Sequence, residues 1–448
     1  MRSRVIRIAL FVALAAFYVT AATEHAKRVN TSKARGDQSG YLWDAQNVYG
    51  NWHGAAAPLL IGERNRMPVY AAFLAAFWDP ALSNDEFFDR AKRWNIYLSV
   101  GLLALLAVVF AGYLPPLPAT NLTLVVAFGY FIFKAGYTQS ELLYYFLFFI
   151  TFLLFWEMIA RPGRLAVTLC RAAAAGAMAA LAYLTKAALL PLLAVFLVVC
   201  GFDALRRLRS DPSGARRQLI AALVVTAVFL AVLSPYLRTN KRVFGQYFYN
   251  VNTTFYIWYD NWPQASIGTI KHGDGVGWPA MPLDDLPSAS KYWREHTMTQ
   301  VTARVGAGLW DMLDRSYHTY WYLKYLVLYL GAAAAVTVAR RRDVSAAPRR
   351  STAAVAFLVL YGAIYLLGIA FYAPVSGTGT SRFLIAHLTP LFFVLSLFLA
   401  REPGRHTRWT VGGATIGMPH FHLLVGVSLA VDIVFVIWPR LMTTYGGF

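Results

Sequence analysis

Apolar residues in the 448-residue chain gather into separate runs of about 18 to 22. A helix of that length crosses the ~30 Å hydrocarbon layer of a bilayer. The runs are read at residues 5–22, 94–114, 118–136, 141–160, 165–184, 187–204, 218–237, 317–338, 352–372, 383–400 and 418–438. They predict an all-α polytopic membrane protein with about 11 transmembrane helices, within bounds of 10–13. Lys134 and Glu141 interrupt one pair of runs, and the polar Gly-rich stretch 404–417 blurs another boundary. Thr185-Lys186 is a tight turn between two very apolar spans.

Two long polar stretches interrupt the pattern. In residues 23–93 the run Met67 to Trp78 is too short to cross, and Trp43, Trp52 and Trp78 sit among charges, so helices lying along the interface are expected. Residues 238–316 carry turn signals at His272-Gly273-Asp274-Gly275 and Trp278-Pro279. Ser288 then caps an amphipathic helix through Tyr292 and Trp293, giving a small ordered cap. The chain thus divides into 1–237, a membrane module whose loop 23–93 carries the chemistry; 238–316, the cap; and 317–448, the remaining spans.

The net charge of +19 is a nucleic-acid signature in a soluble protein, but 58% of residues are hydrophobic and only 14% charged. Segments 1–7, 161–164, 206–217, 340–350 and 401–408 together hold eighteen Arg, no Lys and three acids. Alternating the spans from an inside start puts all five in the cytoplasm, facing anionic lipid rather than nucleic acid. The two long stretches are nearly neutral, with nine Lys/Arg against eight acids and eight against seven, and are exported. Arg2, Arg4 and Arg7 before the first run read as a retained signal anchor rather than a leader cleaved near Ala21-Ala22. A bacterial inner membrane fits this bias, with the N-terminus cytoplasmic and the site periplasmic; an endoplasmic reticulum membrane obeys the same charge rule.

Cys170 and Cys200 lie inside spans and are assigned to packing. No phosphate loop, dinucleotide fingerprint or zinc helix motif occurs, which argues against ATP hydrolysis. Histidines 272, 296, 318, 387, 420 and 422 lack metal-ligand spacing, so no metal site is assigned.

Candidate chemistry collects on the exported face. In Arg35-Gly36-Asp37-Gln38-Ser39-Gly40-Tyr41-Leu42-Trp43-Asp44, an acid at the membrane surface can take a proton from an alcohol; Asp37 equally suits the cap of a helix starting near Ser39. Arg64, Arg66, Lys186 and Arg382 reach the same face and suit a lipid-linked phosphate, although the three arginines also suit snorkelling to headgroups. Lys186, between two apolar helices, needs water or an anion. Glu141 opens a span, where it suits a divalent metal, an acceptor or the helix dipole. Asp432 has no evident partner in sequence.

These residues resemble the GT-C superfamily of membrane glycosyltransferases, in the branch of dolichyl-phosphate-mannose protein mannosyltransferases and aminoarabinose transferases. The likeness rests on Gly36-Asp37-Gln38-Ser39-Gly40-Tyr41-Leu42-Trp43-Asp44-Ala45 followed by Arg64-Asn65-Arg66-Met67-Pro68-Val69-Tyr70. It continues in Leu184-Thr185-Lys186 after a Gly/Ala-rich span, Ser381-Arg382-Phe383, and more loosely Ser234-Pro235-Tyr236-Leu237-Arg238. The first 240 residues carry most of it. The family often has two adjacent acids at the first site, whereas Gln38 follows Asp37 here. The resemblance implies an inverting transfer of a sugar from a polyprenyl-phosphate donor to a hydroxyl outside the membrane. Asp37 would be the base, Lys186, Arg66, Arg64 and Arg382 would hold the phosphate, and Tyr41, Asp44, Glu141 and Arg238 would contact donor or acceptor. The acceptor would be a glycolipid, polysaccharide or protein, and the cofactor left open is magnesium or manganese. A flippase for a lipid-linked glycan would instead show ionisable residues at mid-span and matched broken helices, and a noncatalytic subunit would use the outer loop as a binding surface.

Overall fold

The computed structural model describes residues 2–54, 66–161, 163–275, 277–341, 352–377, 380–401, 404–411 and 414–443. The long elements are α1 (Arg2–Arg28), α2 (Gln38–Trp52), α3 (Pro68–Ala75), α4 (Asn84–Tyr113), α5 (Pro116–Ala135), α6 (Glu141–Ala160), α7 (Leu165–Tyr183), α8 (Ala187–Arg207), α9 (Pro212–Phe244), α10 (Met298–Thr319), α11 (Leu323–Ala339), α12 (Thr352–Ser376), α13 (Thr380–Ala400) and α14 (Met418–Leu441). Among the described residues nine helices are long and apolar enough to span a bilayer, or ten if the bent pair α10–α11 counts as one. α1 adds the apolar run at 5–22 and packs Tyr18, Ala21, Ala22 and Ala26 into the same core.

α6 is the hub. Two thirds of its apolar window is buried against 22% for α9. Its Phe149 meets Phe393 of α13, its Phe155 stacks on Phe196 of α8, and its Phe148 and Phe152 pack on Tyr361 of α12. α7 approaches α9 through Ala172, Ala175, Gly176 and Ala179, and a Cβ on Gly176 would come within 2.6 Å of the Val225 carbonyl oxygen. Small residues let the backbones close, the way helices associate where apolar burial alone provides no drive.

The segment after α1 forms two short helices, as its tryptophans and its short apolar run suggest. Ser39, Trp43 and Trp52 face outward while Tyr41, Leu42 and Ala45 pack on Tyr70 and Leu74 of α3 and on Phe87 and Phe88 of α4. A capping box between Ser83 and Glu86 starts α4. Gln38, where the resembled family often has an acid, turns inward: its amide donates to Asn30 Oδ1 at 2.8 Å and its oxygen accepts from Thr138 N at 3.1 Å.

The span expected near 317–338 is different. The helix runs Leu323–Ala339, and α10 before it is an amphipathic helix bent 116° away. Trp310, Leu313 and Tyr317 are exposed on one face, and Arg304, Met312 and Ser316 are buried on the other. The break lies at Tyr320-Trp321-Tyr322, where the Trp321 amide donates to the Gly129 carbonyl at 3.0 Å. Gly129 lies in a π-helical turn, Ala127–Phe131, within α5.

Residues 245–297 form the cap, with a short helix (Ala289–Glu295) started by Ser288, whose hydroxyl accepts from Lys291 N at 3.3 Å. The cap is clamped to α12 by Arg304, which donates to the carbonyls of Phe371, Ile257 and Tyr259 at 2.8, 3.2 and 2.8 Å. Cys200 is buried as packing requires, whereas Cys170 is exposed. Within the polar Gly-rich stretch before α14, β1 (Arg408–Val411) pairs antiparallel with β2 (Ala414–Gly417).

Candidate functional site

A cavity of about 860 Å³ opens between the cap and one end of the bundle. The elements that build it are those the charge pattern brings to one face: the start of α2, the turn after α7, the end of α12 and the first turn of α13. Arg161, at the end of α6, and Arg401, at the end of α13, lie at the opposite ends of helices whose first turns carry Glu141 and Arg382. The basic turns and the cavity therefore belong to different ends of the bundle.

Asp37 ends the segment leading into α2 but does not cap that helix with its side chain. Its carboxylate instead accepts from Arg382 Nη1 at 2.8 Å. Lys186 sits in the turn after α7, where Thr185 Oγ1 donates to the Leu181 carbonyl at 2.7 Å and Leu184 O accepts from Val69 N at 3.1 Å. That second bond ties the turn to α3. The Lys186 ammonium donates to Glu141 Oε1 at 2.8 Å, and Arg382 lies 3.9 Å from the same oxygen. Asp37, Glu141, Lys186 and Arg382 are one electrostatic cluster, and all but Glu141 line the cavity. Glu141 lies behind them with a side chain 2% exposed.

Arg66 lines the same cavity and donates through Nε to Asp44 Oδ2 at 2.8 Å. It lies across Gly40, where a Cβ would overlap the guanidinium, so α2 needs a glycine there for Arg66 to take this place. Tyr41 faces the cavity, with its hydroxyl 2.7 Å from Ser140 Oγ. Arg238 is exposed on α9 and does not line the cavity. Arg64 lies outside the described residues.

The local field sets the protonation states. Burial raises the Asp37 carboxyl, but the Arg382 guanidinium, followed by Lys186, more than offsets this and holds it below the ordinary aspartate range. Burial lowers the Lys186 ammonium, and Glu141 offsets only part of that. Burial pushes the Tyr41 phenol far up, so it remains a neutral donor. Among the described residues no three His, Cys, Asp or Glu gather as a metal site, and the Glu141 carboxylate already faces the Lys186 ammonium.

Two further regions of the lining were not singled out from sequence. An apolar arm runs between α6, α8 and α12, with Tyr144, Leu190, Ala194, Ile364, Tyr365 and the inner face of His387. The His387 ring lies 4.1 Å from the Tyr365 ring, tilted by 40°, and pairs with the Tyr361 hydroxyl at 2.8 Å. The cap also contributes Asn250, Asn252 and Trp262 to the lining, and α12 contributes Tyr372 and Ser376. Trp262 announces itself only as an aromatic in an Asn-Trp-Pro turn.

The helix arrangement is similar to the GT-C fold seen in solved membrane proteins. The archaeal oligosaccharyltransferase AglB from Archaeoglobus fulgidus, solved in complex with an inhibitory peptide and a dolichol-phosphate, is similar with a TM-score of 0.51 at 12% identity. The match covers 99% of this chain and 57% of that one. ArnT from Cupriavidus metallidurans, solved bound to undecaprenyl phosphate, gives a TM-score of 0.49 at 13% identity over 98% of this chain and 74% of that one. Its apo structure gives 0.47 at 13% identity over 99% and 75%. No protein-family profile and no curated protein sequence matches the chain.

Proposed function

We propose that the protein is a glycosyltransferase that moves a sugar from a polyprenyl-phosphate donor to a hydroxyl acceptor on the exoplasmic side of the membrane. The observation that carries this reading is one cavity lined by a carboxylate, Asp37, and by Lys186, Arg382 and Arg66, with an apolar arm leading away. The arm suits prenyl units and the cations suit the phosphate, and the fold is shared with a protein solved with dolichol-phosphate.

In this reading the acceptor oxygen attacks the sugar C1 from the side opposite the phosphate. The new C1–O bond forms as the C1–O(phosphate) bond breaks, the acceptor proton passes to Asp37, and the polyprenyl phosphate leaves with its charge held by Lys186 and Arg382. The configuration at C1 inverts. Positive charge grows at C1 and negative charge on the leaving oxygen, so a carboxylate and cations placed in advance lower the barrier. Donor binding would draw Arg382 from Asp37 to the phosphate and free the base. Glu141 would serve as the counterion that keeps Lys186 charged, and Asp44 as that of Arg66. The arginine-rich turns at the other end of the bundle support the exoplasmic side and suit a bacterial inner membrane with the N-terminus inside.

The test is transfer of labelled sugar from a polyprenyl-phosphate donor by the protein in vesicles. Asp37→Asn is expected to lose about 100-fold or more in kcat while still binding donor. Full activity in Asp37→Asn would remove Asp37 as the base.

A further inference from the structure

Lys134, in the last turn of α5, is a charged group that the mechanism above does not use. It is 1% exposed, and its ammonium donates to Gln139 Oε1 at 3.3 Å. Asn95 holds the same helix end by donating to the Ala135 carbonyl at 2.9 Å. An ammonium enclosed at this depth needs an anion. The acid that acts on it most is Glu141, with Asp37 behind it.

Glu141 therefore stands between two lysines that differ in access. Lys186 lines the cavity with a side chain 16% exposed and donates to Glu141 Oε1 at 2.8 Å. Lys134 does not line the cavity. Arg382, which does, lies 3.9 Å from Oε1, and Glu141 Oε2 receives no hydrogen bond among the described residues. The field of Lys134 on Glu141 ranks after that of Lys186 and ahead of that of Arg382. A phosphate in the cavity can thus draw on Lys186 and Arg382, but Lys134 stays behind.

That asymmetry matters when a donor binds. Glu141 is 2% exposed, and a buried carboxylate left without its cations is strongly destabilising. Every hydrogen bond that Lys186 gives to the phosphate weakens its hold on Glu141, so an uncompensated Glu141 would pull Lys186 back. A second cation out of the ligand's reach removes that penalty. Resting on the donor-phosphate reading above, we infer that Lys134 is a positioning residue: it is the resident counterion of Glu141, and by staying with Glu141 it releases Lys186 to the donor phosphate.

The test measures binding of methyl farnesyl phosphate, a prenyl phosphodiester whose single charge does not titrate, to the full-length protein in nanodiscs. Lys134→Met is expected to weaken binding about tenfold at about pH 7.5. Lys134→Gln removes the charge but keeps a donor for Gln139, and should weaken it as much. In the Glu141→Gln background Lys134→Met should cause no loss, because no carboxylate is left to compensate. With Glu141 present, the loss should shrink to about twofold toward about pH 5, where Glu141 in the complex takes up a proton in place of the missing cation. The other titratable groups in the field of Glu141 are Lys186, Arg382, Asp37 and the phenols of Tyr41, Tyr70, Tyr145 and Tyr320. All are common to wild type and variant, so the ratio of the two affinities isolates Glu141. Wild-type affinity in either neutral variant, an equal loss in the Glu141→Gln background, or a loss that does not change with pH would overturn the inference and leave the donor-phosphate reading standing. If the wild-type protein does not bind the probe, both fail.

Discussion

Arg382 donates to Asp37 at 2.8 Å across a sequence separation of 345 residues, so a guanidinium from a late span masks the carboxylate of the first loop. This contact carries the low position of the Asp37 carboxyl against the upward push of burial. The carboxylate is therefore ionised above the ordinary aspartate range and loses its charge only as pH falls below it. The acid limb of the pH–rate profile is expected below about pH 4. In Arg382→Gln burial acts unopposed by that guanidinium, and the limb should move to higher pH while KM for the donor rises. A profile whose acid limb does not move would separate Asp37 from the titration.

Lys186 gives the opposite limb. Its ammonium is lowered by burial, so its proton is lost as pH rises through a value below that of an ordinary lysine. Donor affinity should fall on the alkaline side accordingly. Lys186→Arg, whose guanidinium does not titrate there, should push that decline to higher pH. Donor affinity measured by fluorescence quenching against pH checks both signs.

Gly40 is expected to control Arg66 without touching the donor itself. A methyl at this position overlaps the guanidinium, which is the flexible end of its side chain, so Arg66 shifts and α2 stays folded. Gly40→Ala should raise KM for the donor by roughly tenfold, as a misplaced phosphate clamp does, with an unchanged unfolding midpoint. A lowered midpoint with an unchanged KM would assign the glycine to packing.

Asp432 anchors the broken pair. It accepts from Trp321 Nε1 at 2.9 Å, from Lys324 Nζ at 2.8 Å and from the Tyr325 hydroxyl. Asp432→Leu leaves those donors facing an apolar side chain and should cost about 1–2 kcal/mol, a modest figure because Lys324 is partly open to solvent. Differential scanning fluorimetry in detergent reads the change, and donor affinity should hold.

Much of this was legible in the chain. Run length marked the spans, and the arginine bias together with strict alternation was enough to place Asp37, Lys186 and Arg382 at one end. Local signals also gave the cap at Ser288 and the short helix after Met67, whereas the capping box at Ser83 came only with the structure. What escaped depended on contacts between distant residues. The break at Tyr320-Trp321-Tyr322 docks on the Gly129 carbonyl, in a π-helical turn of α5, and an aromatic run reads the same at an interface or in a span. Asp432 looked partnerless because Lys324 lies 108 residues away. Arg238 sat in a segment resembling the family but falls on the exposed side of a helix that runs on to Phe244. The cap's share of the lining stayed hidden because neutral amides and a lone tryptophan carry no pattern until the cap folds over the bundle.

The cap and the bundle are separate stretches of chain, and Arg304 joins them through the Ile257 and Tyr259 carbonyls at 3.2 and 2.8 Å and through the Asp260 carboxylate at 3.4 Å. A replacement of the loop between α9 and α10 that keeps an acid at position 260 and an amide at position 252 keeps this join and leaves the ion pairs beneath it in place. A lineage could therefore change what the cap offers to the cavity by rewriting one short segment, and a chimera carrying a foreign loop is a practical route to the same end.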